Sequence, residues 1–457
     1  MKYYIVGVIM IMTLSLNAQV RPAVSQKTLS VSEKKIIDTH LKKHKTFSIN
    51  KKEILDSLKN YGRCNFRLTI DEDNDWTINL RLNDMRATNY AASFISDSGA
   101  FSFKSFVPNT YKGKTTDNKI ARFTIDEDDF WGLIIFSNEK QIMIRQTKDY
   151  TKNNSDNSLI MFETTDIIEP ENDFDNVSDV IIAPIENNNT NAPKSSLCTY
   201  YLEIATEADF EFYLAMGSSL ANTYSHIFSV LNLIEGVYES TFNLKFIVTF
   251  QNVWTTSNDP YTSTTDAETL LYEFGTEWNA NRTNVNRDIA HMFTNRDFNG
   301  NIVGMAHLGQ LCTSSAYSLS KYRNEMFKTT AHEIGHNLNA IDNPGSTDCH
   351  CGEETASVMC QGLKANNLWF CQTSINQISP FLANNSAILT KNFPNNLTLL
   401  GSATGFNEYQ TREKIISTQV IENGTTIYKT KEVELNGCFE VKAGAEFEIV
   451  VDDNGCD

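Results

Sequence analysis

Five residues, His332-Glu333-Ile334-Gly335-His336, limit this chain more than anything else in it. On a helix, positions i and i+4 project from nearly the same face one turn apart. Two imidazoles so placed can reach one ion, and Glu333 falls beside them. In an H-E-x-x-H site the glutamate binds no metal; it takes the proton from the metal-held water. Two surface histidines on an amphipathic helix give the same pattern by chance, so its surroundings decide its weight.

Zinc needs a third protein ligand and an open position for water. Asp342 is the candidate. On a continuing helix it would lie about 9 Å along the axis from His336, on the wrong side. The helix must therefore stop, and Asn339 sits where a stop is needed. After glycine, asparagine best tolerates the left-handed conformation that ends helices. Asn339 and Asp342 together form a device for folding a carboxylate back under the metal. The alternative is a solvated loop acid ahead of Asn343-Pro344-Gly345.

With Ser357-Val358-Met359-Cys360 further on, the segment resembles the metzincin metallopeptidases, nearest the reprolysin (adamalysin) branch. That family carries H-E-x-x-H-x-x-G-x-x-H and then a Met-containing turn. The resemblance covers about residues 197 to 391. It implies an α/β catalytic domain with a twisted mixed sheet, long helices, an active-site helix and a Met-turn at Met359. It also implies one catalytic Zn2+ on His332, His336 and Asp342, with Glu333 as general base, and a protein or peptide substrate. Segment 303–308, followed by Gly309-Gln310-Leu311-Cys312, is similar to the edge strand on which such enzymes take the substrate as an extra β-strand. His307 lies in it and reads as structural or substrate-facing. The departures are Asn339 for the family's glycine and Asp342 for its third histidine.

The remainder of the chain is consistent with an exported enzyme. Met1-Lys2, the apolar run Tyr3 to Leu14 and a small residue at Ala18 read as a secretory signal over 1–18. No later apolar stretch reaches membrane length. A secreted or cell-surface protein, monomeric and without a transmembrane segment, is expected. A net charge of −17 argues against nucleic acid as a partner. The acidity leaves room for Ca2+, but no calcium-loop motif is present.

At 457 residues more than one domain is expected. Residues 27–60 read as a Lys-rich helical stretch. Segments such as 76–82 and 119–125 alternate like strands. Residues 19–150 are therefore read as a mostly β unit similar to the propeptides of such proteases. Residues 151–196 form an acidic, Asn-rich linker expected to be extended and open to activating cleavage. The protease domain takes 197–391. Within it, 199–205, 242–253 and 302–308 read as strands, and 207–233, 267–279, 322–338 and 374–382 as helices. A small β module fills 392–457. Its residues 437–444 are similar to modules appended to secreted proteins of Bacteroidetes-type bacteria.

Nine cysteines in an exported chain point to disulfides, with at least one thiol left over. Cys312, Cys349, Cys351, Cys360, Cys371, Cys438 and Cys456 are the candidates. The resemblance suggests latency through a propeptide thiolate on the zinc; Cys64 is one candidate for that switch and Cys198 its rival. An inert buried cysteine is the alternative for Cys64.

Two other functions compete with a zymogen endopeptidase. A thermolysin-like zinc peptidase would take Glu353 or Glu354 as third ligand, although the intervening sequence does not suggest the required helix. A catalytically inactive adhesion or binding protein would have no need of an intact Glu333.

Overall fold

The computed structural model describes residues 19–104, 107–151, 158–168, 199–343, 347–360, 367–389, 396–411, 414–437 and 439–451. The expected signal segment 1–18 and residues 152–157 and 169–196 of the expected linker lie outside them.

The N-terminal unit is a nine-stranded sheet with antiparallel neighbours throughout. It runs from Val24–Gln26 at one edge to Arg63–Thr69 at the other. Strand Arg63–Thr69 alternates, turning Cys64, Phe66 and Leu68 inward toward the helix Lys52–Tyr61. Inner strands such as Phe130–Ile135 are buried at nearly every position. Their hydrophobic run follows from cover on both faces. Phe130 and Ile134 pack under the helix, while Trp131 and Leu133 join a second, larger core formed mainly by residues after 199.

Two expectations need correction here. Residues 27–60 are not one helical stretch: helices Val31–Ile37 and Lys52–Tyr61 flank the strand Lys45–Ile49. The N-terminal part of the presumed linker is not extended and open. Leu159–Glu163 is a buried strand inserted between Lys45–Ile49 and Gln141–Gln146. Its Leu-Ile-Met-Phe sequence supplies the apolar surface that the acidic residues after it lack.

The second sheet has seven strands and carries the site. Its order is Gly304–Ala306, Tyr317–Lys321, Ile289–Thr294, Tyr200–Ala208, Leu244–Trp254, Arg86–Ser96 and Gly99–Ser102. The first pair and the last pair are antiparallel, and the four pairings between them are parallel. The last two strands come from the N-terminal unit, so one sheet runs through both parts of the chain.

The long helix Leu220–Phe242 lies between the two sheets. It starts at Ser219, whose hydroxyl accepts from the Asn222 N–H, and ends at Asn243 with φ 52°. Most of it is buried, as a helix covered on two sides must be. The helical spacing read from residue 207 onward is two helices, because Gly217 (φ 72°) and Ser218 (φ 56°) end the first, Phe210–Ala215.

The C-terminal module is built from three parallel three-stranded sheets. Each successive strand triplet stacks on the last: Asn396–Leu399, Ser402–Ala403 and Phe406–Gln410 pair with Lys414–Ser417, Val420–Ile421 and Thr425–Thr430. A third triplet, ending in Glu446–Val451, follows the second. The module is a short β-solenoid of three coils around Leu399, Ile415 and Tyr428.

Candidate metal centre

The helix Met326–Asn337 is buried at every position. It packs against the edge strands through Asn337, whose Nδ2 donates to the carbonyls of His307 (2.9 Å) and Tyr317 (3.1 Å). The helix ends in a left-handed stop. Asn339 has φ 72°, its N–H donates to the His336 carbonyl at 2.8 Å, and the Ala340 N–H donates to the Gly335 carbonyl at 3.0 Å. These two bonds make a Schellman cap, and the chain then reverses to bring Asp342 back to the helix.

His332, His336 and Asp342 converge, with one ligand atom of each lying within 4.8 Å of the others. His332 Nδ1 donates to the Val358 carbonyl and His336 Nδ1 to the Ala340 carbonyl, each at 2.7 Å. A carbonyl oxygen can only accept, so both protons sit on Nδ1 and both Nε2 atoms present lone pairs. Those Nε2 atoms are 2.8 Å apart, and Asp342 Oδ1 is 3.1 Å from one and 3.7 Å from the other. Two facing lone pairs and a carboxylate oxygen repel unless a cation lies among them. Two imidazole nitrogens and one carboxylate oxygen suit zinc with one position left open. Burial, then the neighbouring His336, lower the pKa of His332, which favours the neutral ligand form.

The turn around Met359 packs against the site helix. Met359 is fully buried, and its carbonyl accepts from the Asn343 N–H at 2.9 Å. Val358, one residue earlier, supplies the carbonyl that fixes His332. Gly335 leaves the room Met359 occupies: a Cβ there would lie 2.5 Å from Met359 Sδ. Two disulfides, Cys349–Cys371 and Cys351–Cys360, brace this loop, with Cα atoms 4.9 and 5.2 Å apart.

Glu333 is buried on the side of the edge strand. A Cβ on Gly304 would collide with Glu333 Oε1. The strand Gly304–Ala306 pairs with Tyr317–Lys321 and is the sheet's outermost strand among the described residues.

Residues 200–394 match the family model described as "Reprolysin (M12B) family zinc metalloprotease". This region is reprolysin-like. A zinc metalloproteinase-disintegrin-like protein of Cerberus rynchops is 29% identical over 172 residues, 36% of this chain and 27% of that protein. Zinc metalloproteinase-disintegrin-like brevilysin H2a of Gloydius brevicauda is 29% identical over 161 residues, 33% of this chain and 37% of its own length. The chain thus spans well under half the length of the curated relatives it matches.

The other residues singled out from the sequence lie outside the metal cluster. Cys312 is not in a disulfide: its thiol is free and donates to Asp288 Oδ1 at 2.9 Å. Cys64 does not join the ligand cluster. It is buried in the N-terminal core, and burial pushes its thiol up to about 11, the opposite of what a metal-seeking thiolate needs. Cys198, Cys438 and Cys456 lie outside the described residues. His307 Nδ1 is taken by the Ser315 carbonyl at 2.8 Å, a structural role. Glu353 and Glu354 are exposed, paired with His350 and Lys42, and neither belongs to the cluster.

The carbonyls of Val358 and Ala340 escaped the sequence reading because a backbone acceptor has no letter of its own. Gly335 did leave a signal, since glycine inside a helix costs about 1 kcal/mol relative to alanine and needs a packing reason.

Proposed function

We propose that this chain is a secreted zinc-dependent endopeptidase, made as a zymogen and cleaved in its acidic linker. The observation that carries the reading is the ligand cluster, with both Nδ1 atoms tied to backbone carbonyls, both Nε2 atoms turned toward Asp342, and Glu333 alongside. The match of residues 200–394 to a zinc metalloprotease family supports it. Among the described residues no helix is long and apolar enough to cross a membrane.

His332, His336 and Asp342 would hold the ion. Bound there, zinc would polarise the scissile carbonyl and make a water acidic enough to be activated near neutral pH. The chain's own residues supply the rest. The outer edge of Gly304–Ala306 hydrogen-bonds an extended peptide and sets its scissile bond beside the helix. Glu333 faces that strand across the space Gly304 leaves open; it takes the proton from the attacking water and returns one to the departing amine. The carbonyls of Val358 and Ala340 keep the imidazoles in one tautomer and orientation throughout.

Zinc content and peptide cleavage, measured on wild type and Glu333→Ala, test this reading. The variant is expected to keep zinc and lose cleavage. Full cleavage by Glu333→Ala would remove Glu333 from the mechanism, and a zinc-free, inactive wild type would sink the reading. Sequencing the N-terminus of matured protein tests the zymogen layout, with a cut expected between about residues 185 and 200.

A further inference from the structure

The catalytic sheet does not end with the reprolysin-like region. Its strand Leu244–Trp254 is paired on one side by Tyr200–Ala208 and on the other by Arg86–Ser96. Without the N-terminal unit, that second side would be an open edge along the stretch from Val248 to Trp254 that Arg86–Ser96 now covers, of the kind folded proteins cover or blunt. We propose that the N-terminal unit is a permanent subunit of this protease, remaining seated on the catalytic sheet after the linker is cut.

Three kinds of contact hold it. The first is the sheet pairing itself, reinforced by the Val248 N–H donating to the Met85 carbonyl at 2.6 Å. The second is charge: Arg122, with a side chain only 5% exposed, reaches Glu239 of the long helix at 2.6 Å, and Lys112 reaches the same carboxylate at 3.1 Å. The third is a reciprocal bond pair between the Gln141 side-chain amide and the backbone of Leu368, at 2.9 and 2.8 Å. The surfaces between these contacts share one apolar core, in which Trp131, Leu133 and Met143 pack with Ile227, Leu231 and Ile234. None of these contacts depends on the covalent link between the two parts. Separating them would expose an apolar core and a buried arginine together, which is how obligate subunits rather than transient inhibitors are joined.

The inference rests on the zymogen reading only in taking the linker as the place of cleavage. The test uses the full chain carrying Glu333→Gln, which keeps self-cleavage out of the experiment. A recognition sequence for an unrelated protease is inserted between residues 187 and 191. The folded protein is cut and passed over a size-exclusion column under native conditions. Both fragments are expected to co-elute at the size of the intact chain, and release of the N-terminal fragment overturns the inference. Arg122→Ala is expected to weaken the association of the cut fragments on the order of a hundredfold, the effect of stripping one partner from a buried pair. Should that variant not fold, Gln141→Ala gives the same reading through the Leu368 contact. Unchanged affinity in the folded variant overturns the assignment of this interface. Fragments that co-elute from a chain whose wild type cleaves no peptide would sink the peptidase reading alone. Fragments that separate while the wild type cleaves would sink this inference alone.

Discussion

Gly335 of the site helix stands directly over Met359, so that a Cβ on the glycine would come within 2.5 Å of the methionine sulfur. The contact joins two stretches of chain that hold the same histidine. The helix carries His332, and the turn supplies the carbonyl at Val358 that orients it. Gly335→Ala would gain helix propensity but force Met359 away. Overpacking of this kind costs about 1–3 kcal/mol. A lower Tm with weakened zinc affinity is expected, measured by thermal unfolding and chelator competition. An unchanged Tm would mean that the turn yields freely.

Asn339 offers a sharper pair of substitutions. Its φ of 72° penalises most side chains, with a penalty of roughly 1–2 kcal/mol. Asn339→Ala should lose stability by about that amount, whereas Asn339→Gly should be neutral or slightly stabilising. Equal losses in both would show that the asparagine side chain, not its backbone angle, is what matters.

Gly304→Ala probes the proposed general base, Glu333, without touching a proposed ligand. The new methyl group would press on Glu333 Oε1. Peptide cleavage should fall by at least tenfold, in line with the weight of a positioned general base, while zinc content stays at the wild-type level. Loss of zinc along with activity would point to collapse of the helix instead.

Asp342→His exchanges the proposed anionic ligand for a neutral one. The carboxylate's charge makes an activated water less acidic than a third imidazole would. If the variant keeps zinc, the acidic limb of its pH–rate profile should move to lower pH. An unchanged profile with full activity would take Asp342 out of the ligand set.

Acid should loosen the seam between the two sheets. Burial alone would raise the pKa of Glu239, but Lys112, Arg122 and Lys245 outweigh it and bring it down to about 2, against an ordinary value of 4.5. A carboxyl group depressed in the folded state stabilises above its unfolded pKa, and that stabilisation is lost as pH falls toward the folded value. The pH window is therefore about 4.5 down to about 2. Affinity between the cut halves, followed by size exclusion or calorimetry, should drop across that window. Glu239→Gln should flatten the dependence; the same slope in the variant would assign it to other carboxylates.

The legible parts of this molecule were those whose cause lies within a few residues. His332, Glu333 and His336 share a helical face because of their spacing. Asn339 announces a chain reversal through its tolerance of positive φ, and Asp342 follows from that reversal. The alternation of 76–82 and 119–125 marked strands correctly because each has a side facing a core. What could not be read were partnerships between distant segments. Nothing near Arg86 says that it begins a strand alongside Leu244, and nothing near Arg122 names Glu239 as its partner. Cys64 drew attention as an unpaired thiol, yet its neighbours in the strand, Phe66 and Leu68, point to the same buried face. Leu159–Glu163 was hidden by the acidic sequence after it, although its own four apolar residues are what the sheet required.

The strand Arg86–Ser96 and its partner Leu244–Trp254 are far apart along the chain. A polypeptide is made from its N-terminus, so the first strand emerges well before the second exists. Until then its hairpin with Gly99–Ser102 has no sheet to join, and two-stranded hairpins are marginal in water. Closure must wait for the second strand and must span the whole intervening loop, a long-range step that slows folding. The order of synthesis thus works in this chain's favour. The nine-stranded sheet, complete once residue 163 has emerged, can form first and present a ready surface on which the later half condenses.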